Sequence, residues 1–218
     1  MLDKGLPEQL MSVLEKQGIT NFRPCQVKAF DAGLLEDKNL LVCTPTASGK
    51  TLIAEIAAVK KVIESKGKTV YIVPLIALAN EKYKEFKKKY GHLAKIALSI
   101  GDFDSSDPYL IDYDIIICTA EKLDSLIRHR AVWLSLISLV VVDEVHLLND
   151  VDRGPTLEIL ITMLRVLIPK AQVIALSATI GNPKELADWL GANLVIDDWR
   201  PVPLKKGIYY NEKVVNFD

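Results

Sequence analysis

The chain has 218 residues, of which half are hydrophobic and a quarter are charged, and its formal net charge is −1. This length and composition predict one large α/β domain, or at most two small ones, with a sizeable core. The near-neutral charge excludes a chain that is basic over its whole surface, although a local basic groove is compatible with it. The opening residues, MLDKGLPEQL, contain no apolar core region, so no signal peptide is predicted.

The cysteines and the lengths of the apolar runs bear on the cellular compartment. Cys25, Cys43 and Cys118 lie far apart and form no C-x-x-C pair, so neither a zinc site nor a disulfide scaffold is predicted. The apolar stretches are far shorter than the roughly 20 residues that cross a bilayer. Together these features favour a cytoplasmic protein that does not enter a membrane.

Short apolar runs alternate with helical patterns along most of the chain. Helices are predicted over residues 7–16, 24–35, 49–64, 75–90, 121–130, 154–168 and 183–190. Strands are predicted at NLLVCT, TVYIVP, KIALSI, YDIIICT, SLVVVDE, AQVIALSA and NLVID. Most of these strands are apolar on both faces, which predicts a mostly parallel sheet covered by helices on both sides. In such sheets ligands bind beyond the carboxyl ends of the strands.

The segment TPTASGKT, which follows the first predicted strand and opens a helix, resembles a phosphate-binding loop. The usual pattern is G-x-x-x-x-G-K-[ST], and here Thr44 stands in place of the first glycine. Backbone N–H groups would cradle the phosphates, Lys50 would reach the β- and γ-phosphates, and Thr51 would bind Mg²⁺. The alternative is a chance match in a loop. The candidate ATP-binding residues are Thr44, Pro45, Thr46, Ala47, Ser48, Gly49, Lys50 and Thr51.

The segment VVVDEVH supplies an acidic pair at the end of another apolar strand. Asp143 is placed to bind Mg²⁺ through water, and Glu144 to orient and polarise an attacking water. The alternative is a surface acidic pair. With the phosphate-binding loop, the pair predicts hydrolysis of ATP with Mg²⁺ as cofactor. His146 would be structural by itself, but in this setting it could sense the γ-phosphate.

Three further segments carry weaker signals. Ser177 and Thr179 lie at another strand end, where they could equally cap the next helix. Gln26 could hydrogen-bond adenine and Phe22 could pack near the base, although a polar residue at a helix start explains Gln26 as well. Five lysines form a basic run on the helix predicted over 75–90, and a solvated helix face is favoured over a nucleic-acid patch. Its members are Lys82, Lys84, Lys87, Lys88 and Lys89.

Taken together, the segments TPTASGKT, DEVH, SAT, R-P-x-Q and VPLIALANEKY resemble the first motor domain of superfamily-two helicases. In that group a threonine or alanine is common at the position of Thr44. The segments LLNDVDRGPTLEIL, EKLDSLIR and DWRPVPL are closer still to Ski-type helicases, and most resemble the archaeal DNA repair helicases of the Hjm/HelQ type. The resemblance covers nearly the whole chain and implies a RecA-like P-loop NTPase fold.

The resemblance also implies roles for individual residues. Gln26 would contact adenine, and Ser177 and Thr179 would couple hydrolysis to movement. Contacts with a nucleic-acid strand would come from Pro74, Leu75, Ala77, Gly101, Asp102, Thr119, Glu121 and Lys122. One departure from the family pattern is Ile76, since relatives often have an arginine there.

These inferences predict the N-terminal RecA-like domain of an ATP-dependent helicase that translocates on single-stranded or forked DNA. Residues 1–200 would form this domain, and 201–218 a linker and the start of a truncated second motor domain, with IYYNEKVVNFD as a strand. The second motor domain of the parent chain would supply the arginine fingers. Two alternatives remain: a Ski-type RNA helicase, and a nucleotide-gated nucleic-acid-binding module without turnover, against which Glu144 argues.

Overall fold

The structure, a computed structural model, describes residues 5–101, 105–202, 206–210 and 213–217. The helices in these residues are α1 (Glu8–Lys16), α2 (Pro24–Asp31), α3 (Lys50–Ile63), α4 (Ile76–Tyr90), α5 (Ala120–Arg128), α6 (Gly154–Leu167) and α7 (Pro183–Leu190). The strands are β1 (Leu40–Cys43), β2 (Lys68–Val73), β3 (Ile96–Ser99), β4 (Ile115–Thr119), β5 (Ile137–Val142), β6 (Gln172–Ser177), β7 (Asn193–Ile196), β8 (Lys206–Tyr210) and β9 (Lys213–Phe217). None of the helices in this part of the chain has the length and apolar character of a bilayer-spanning segment.

Strands β1 to β7 form one sheet in the order β3-β4-β2-β5-β6-β1-β7, and every neighbouring pair is parallel. The predicted α/β fold with a mostly parallel sheet is therefore confirmed. Because all seven strands run the same way, their carboxyl ends share one edge of the sheet. The loops after β1, β2, β5 and β6, which carry the predicted site residues, meet at the middle of that edge.

The sheet divides the hydrophobic core into two layers. Every residue of β1 and β2 is buried, as expected for strands covered on both faces. Successive residues of a strand point to opposite faces, so Leu40 and Val42 pack in the layer under α1 to α4, while Leu41 and Cys43 pack in the layer under α5 to α7. The free thiols Cys25, Cys43 and Cys118 are all buried.

Three predicted elements differ from the structure in their extent. The helix predicted over 24–35 ends at Asp31, because Gly33 adopts a left-handed conformation with φ of 94° before a short 3₁₀ helix. The helix predicted over 154–168 ends at Leu167, which is 57% exposed. The segment IYYNEKVVNFD, predicted as one strand, contains the end of β8 and the whole of β9, which pair antiparallel. Alternating apolar residues look the same in one strand and in a hairpin.

Helix α6 allows a direct test of packing in the core layer under α5 to α7. Leu160 is fully buried, whereas its neighbour Ile159 is 53% exposed. We expect Leu160→Ala to lower the free energy of unfolding by about 2 to 5 kcal/mol, through lost burial and a cavity. Ile159→Ala should change it by about 0.5 kcal/mol or less. Urea denaturation of both variants measures the difference, and equal losses would contradict the packing described here.

Candidate nucleotide-binding and catalytic site

The loop between β1 and α3 is held closed by its own side chains. Thr44 is fully buried, and its Oγ1 lies 2.8 Å from Ser48 Oγ. The backbone N–H of Ser48 donates to the carbonyl of Pro45, and that of Thr44 to the carbonyl of Ser177 on β6. Thr44, which replaces the usual glycine, thus contributes a hydroxyl that ties the two ends of the loop together.

The loop bends through two residues with positive φ, Ala47 at 65° and Gly49 at 98°. A side chain at Gly49 would place its Cβ 2.6 Å from Gln26 Nε2 and would have to displace this amide, and the φ of 98° itself favours glycine. Helix α3 begins immediately afterwards at Lys50, and no side chain caps its amino end. The free N–H groups at that end therefore face the loop, which is the usual arrangement of a phosphate site.

Two residues at the start of α2, Arg23 and Gln26, hold this loop through hydrogen bonds to its backbone. Gln26 is almost fully buried, accepts a hydrogen bond from Arg23 N–H and donates through Nε2 to the carbonyl of Gly49 at 3.0 Å. Arg23 donates through Nη1 to the carbonyl of Ala47 at 2.7 Å. Both polar atoms of the Gln26 amide thus contact protein, and the adenine contact stays a prediction. Phe22 packs its ring on Phe30, with centroids 4.7 Å apart.

A cavity of about 520 Å³ opens beside the loop and α3. Arg23, Gln26, Gly49 and Thr51 line one side of it, and residues of α4 line the other. Sequence reasoning missed the brace formed by Arg23, for which the only signal was an arginine directly before the first proline of a helix. The cavity has the size expected for a small ligand, and it adjoins the end of α3 that favours phosphate.

The loop lysine and the acidic pair meet at the carboxyl end of the sheet. Lys50 Nζ lies 3.6 Å from Glu144 Oε1, and only 9% of the Lys50 side chain is exposed. Glu144 Oε2 lies 3.3 Å from His146 Nδ1. Glu144 itself has a left-handed backbone with φ of 54°, which turns the chain sharply after β5. The structure therefore brings together three residues that the sequence predicts as one site.

Both carboxylate oxygens of Asp143 accept hydrogen bonds. Tyr71 donates to Oδ2 at 3.0 Å, and the backbone N–H of Glu144 donates to Oδ1 at 3.0 Å. Burial raises the pKa of Asp143 above its usual value, the charge of Lys82 opposes that rise, and the charge of Glu144 adds to it. A cation placed against this carboxylate would favour its ionised form. The Thr51 hydroxyl and the Asp143 carboxylate are oxygen ligands of the kind that Mg²⁺ prefers.

The segment after β6 contacts His146, which follows the acidic pair, through its backbone. The N–H of Ala178 donates to His146 Nδ1 at 3.4 Å. Ser177 is buried beside Cys43, its register partner on β1, and Thr179 is exposed. The alternative in which these hydroxyls cap the next helix is wrong, because α7 begins at Pro183 after Asn182. His146 thus links the residue pair after β5 to the segment between Ser177 and Thr179.

The segments predicted to contact a nucleic-acid strand follow β2, β3 and β4, which are neighbours in the sheet. Pro74 and Leu75 lie between β2 and α4, Ala77 lies in the first turn of α4, and Gly101 follows β3. Leu75 and Ile76 are 41% and 51% exposed. Asp102 lies outside the described residues. The structure thus brings these segments to one rim, next to the candidate nucleotide site.

The start of α5 differs from the expectation for a strand contact. Thr119 Oγ1 accepts a hydrogen bond from Lys122 N–H and caps the helix. Lys122 was expected to present its charge, but its side chain is 2% exposed and its ammonium lies 3.0 Å from Asp107 Oδ2. Ser99 also donates to Asp107. Glu121 is exposed. The buried ion pair fixes the start of α5 against the end of β3, because separating it would leave a buried charge.

The lysine run of α4 does not lie on one solvated face. Lys84, Lys87 and Lys88 are exposed, as predicted. Lys82 and Lys89 instead line the cavity beside the loop, and Lys89 donates to the buried carboxylate of Glu55 on α3. The helical period places these two lysines on the side of α4 that faces α3.

These features define the class of protein. A RecA-like sheet carries a phosphate-binding loop after β1 and an Asp–Glu pair after β5, and the loop lysine reaches the glutamate. The chain belongs to the DEAD/DEAH box helicase family, whose family model matches residues 23–186. This match covers the loop, the acidic pair and the segment after β6.

Curated relatives with high similarity carry one name. The ATP-dependent DNA helicase Hel308 of Pyrococcus abyssi is 53% identical over 206 residues, which are 94% of this chain and 28% of that protein. The helicase of the same name from Methanocaldococcus jannaschii is 54% identical over 214 residues, which are 95% of this chain and 18% of that protein. The chain therefore spans less than a third of the length of these relatives.

Solved structures resemble the fold over the same extent. The crystal structure of the DUF1998 helicase MrfA bound to DNA matches with a TM-score of 0.78 and 26% identity, over 91% of this chain and 30% of that chain. The structure of MrfA bound to DNA and AMPPNP matches with a TM-score of 0.77 and 26% identity. Both matches cover most of the sheet described above.

The bond between Thr44 and Ser48 can be tested with an isosteric change. Thr44→Val keeps the shape of the side chain but leaves the buried Ser48 hydroxyl without this partner, so we expect a loss of about 1 to 3 kcal/mol in the free energy of unfolding. Nucleotide affinity should fall as well, because the loop loses its closure. Thr46→Val, the same change at an exposed position of the loop, is the control for the stability measurement. Unchanged stability and affinity in Thr44→Val would contradict this account.

Proposed function

We propose that this chain is the first RecA-like motor domain of an ATP-dependent DNA helicase. The observation that carries the proposal is the 3.6 Å approach of Lys50 to Glu144, since it joins the phosphate-binding loop to the acidic pair. Residues 1–200 would form the ATP-binding domain, and 201–218 the linker and the start of a second motor domain. The protein would act in the cytoplasm.

The ion pair between Lys50 and Glu144 suggests how nucleotide binding prepares hydrolysis. The β- and γ-phosphates would draw the Lys50 ammonium to themselves, because they carry more negative charge than one carboxylate. Glu144 would then be free to accept a proton from the attacking water. Thr51 and, through water, Asp143 would hold Mg²⁺, which neutralises phosphate charge when bound. The loop segment between Thr44 and Gly49 would enclose the phosphates.

His146 provides a route from hydrolysis to movement. His146 Nδ1 accepts a hydrogen bond from Ala178 N–H when it carries no proton, and donates to Glu144 when it carries one. A change at Glu144 during turnover would therefore alter the contact with the segment that contains Ser177 and Thr179. In a longer chain this segment would pass the change to the second motor domain. Gln26 would contact the adenine base, and Phe22 would pack near it.

The nucleic acid would lie along the rim formed after β2, β3 and β4. Backbone N–H groups at Leu75, Ile76 and Ala77 and at Gly101 can reach phosphates without reading base edges. Asp102, Thr119 and Glu121 would complete the contacts with the strand. Lys122 would support them by holding the start of α5 through its ion pair with Asp107. The names of the curated relatives and the DNA-bound MrfA structure support DNA over RNA, and the strand would be single-stranded or forked DNA.

The finer family assignment rests on sequence segments. DEVH, LLNDVDRGPTLEIL and DWRPVPL resemble Ski-type helicases, and among them archaeal repair helicases of the Hjm/HelQ type. The similarity to Hel308 proteins of archaeal species supports this assignment. The alternative of a Ski-type RNA helicase keeps the same site and changes only the sugar of the strand, which phosphate contacts do not distinguish.

Two variants of the full-length protein separate binding from hydrolysis. Lys50→Ala should lose nucleotide affinity and turnover together, because Lys50 meets phosphate charge throughout the reaction. Glu144→Gln should retain affinity and lose about 10²- to 10⁴-fold in kcat, the usual contribution of a general base. Binding of a fluorescent ATP analogue and release of phosphate measure the two effects. An equal loss of affinity in both variants would contradict the assigned roles.

Strand binding by the full-length protein should depend on salt and not on base sequence. Contacts with phosphates release counterions, so the affinity should fall steeply with salt concentration. The affinities for labelled single strands of different base composition should agree at each salt concentration. Fluorescence anisotropy at two salt concentrations measures both properties. A strong sequence preference, or affinity indifferent to salt, would rule out contacts made mainly to the backbone of the strand.

A further inference from the structure

The hydroxyl of Tyr71 donates a hydrogen bond to the carboxylate of Asp143. Tyr71 lies within β2, is fully buried, and donates to Asp143 Oδ2 at the end of the neighbouring strand β5. Burial raises the pKa of Tyr71 well above its usual value, so the hydroxyl stays a donor. A phenylalanine would fill the same space in the core, and the tyrosine adds a hydrogen bond to the carboxylate proposed to face Mg²⁺.

Helix α4 holds the Tyr71 ring from the other side. Phe86 packs edge-on against it, with ring centroids 5.5 Å apart. The ammonium of Lys82 lies 5.9 Å from the Tyr71 ring centroid, and the Lys82 side chain is only 16% exposed. Two side chains of one helix thus contact the ring whose hydroxyl orients Asp143.

The same helix begins at the rim proposed to bind the nucleic-acid strand. Its first residue, Ile76, follows Leu75 at the carboxyl end of β2, and both are substantially exposed. Asn80 in the second turn donates to the carbonyl of Ile76, which ties the exposed turn to the next one. A helix moves as a rigid element, so a displacement at Ile76 would also displace Lys82 and Phe86.

We propose that Tyr71 and Lys82 are positioning residues for Asp143, and that through them α4 transmits strand binding at its first turn to the magnesium carboxylate. The proposal rests on the proposed function, which makes Asp143 a ligand of Mg²⁺ through water. The Tyr71 hydroxyl fixes the direction of one carboxylate oxygen, and the Lys82 ammonium, 5.9 Å from the ring centroid, holds the Tyr71 ring in place. Groups that orient a metal ligand in this way usually change metal affinity by about 10- to 100-fold.

Tyr71→Phe in the full-length protein tests the first part. It retains the ring and its packing on Phe86 and removes only the hydroxyl. We expect about a tenfold weaker affinity for Mn²⁺ in the presence of ADP, measured by electron paramagnetic resonance. The control is Tyr83→Phe, because Tyr83 lies on α4 and its hydroxyl accepts from the exposed Lys87. Urea denaturation of both variants establishes that they are folded under the assay conditions.

Lys82→Met tests the transmission from the strand. It keeps much of the side-chain length and removes the charge, and Lys87→Met is the matched control on an exposed face of α4. We expect a severalfold decrease in the ratio of kcat with a single-stranded oligonucleotide to kcat without it for Lys82→Met and Tyr71→Phe. Lys87→Met should keep the ratio of the unmodified protein.

The outcomes distinguish this proposal from the function on which it rests. If Asp143→Asn leaves Mn²⁺ affinity unchanged, the proposed magnesium ligand is wrong and this inference falls with it. If Asp143→Asn lowers the affinity but Tyr71→Phe matches Tyr83→Phe, the function stands and the positioning role is wrong. If Tyr71→Phe weakens Mn²⁺ binding while the stimulation ratio is unchanged in both test variants, the transmission through α4 is wrong.

Discussion

The parallel direction of the seven central strands is the constraint on which the site depends. A parallel sheet buried on both faces places every strand's carboxyl end at one edge. The loop after β1, the acidic pair after β5 and the segment after β6 are distant in sequence, but the order β5-β6-β1 makes them neighbours. Lys50 can therefore reach Glu144, and His146 can reach Ala178.

The loops at this edge contain residues with left-handed backbone conformations, and these residues lie at the candidate site. Ala47, Gly49 and Glu144 all have positive φ. For the two residues with side chains such a conformation costs about 1 to 3 kcal/mol each. Bonds outside the loop compensate, since Arg23 holds the Ala47 carbonyl and Gln26 the Gly49 carbonyl. The phosphate-binding loop thus depends on α2, which precedes it in the chain, for its shape.

The charged side chains of the site contact partners that a bound nucleotide would displace. Lys50 and Glu144 neutralise each other, and Lys82 lies over the ring of Tyr71, whose hydroxyl donates to Asp143. Buried charges are stable only when they are paired. A bound phosphate would give Lys50 another partner, and the release of Glu144 would change its contact with His146. The pair of Lys122 with Asp107 differs, because it is more deeply buried and fixes α5 in place.

The sequence by itself determined the elements, the class of fold and the two segments that carry the chemistry. Apolar runs of about one strand's length and the pattern of Gly49, Lys50 and Thr51 are local signals, so they can be recognised without the fold. Only the tertiary structure decided what each polar side chain contacts. Gln26 contacts the loop backbone, Lys122 is buried against Asp107, and the Tyr71 hydroxyl reaches Asp143. These partners lie on different elements, and their meeting depends on strand order and helix packing, which residue spacing along the chain does not encode.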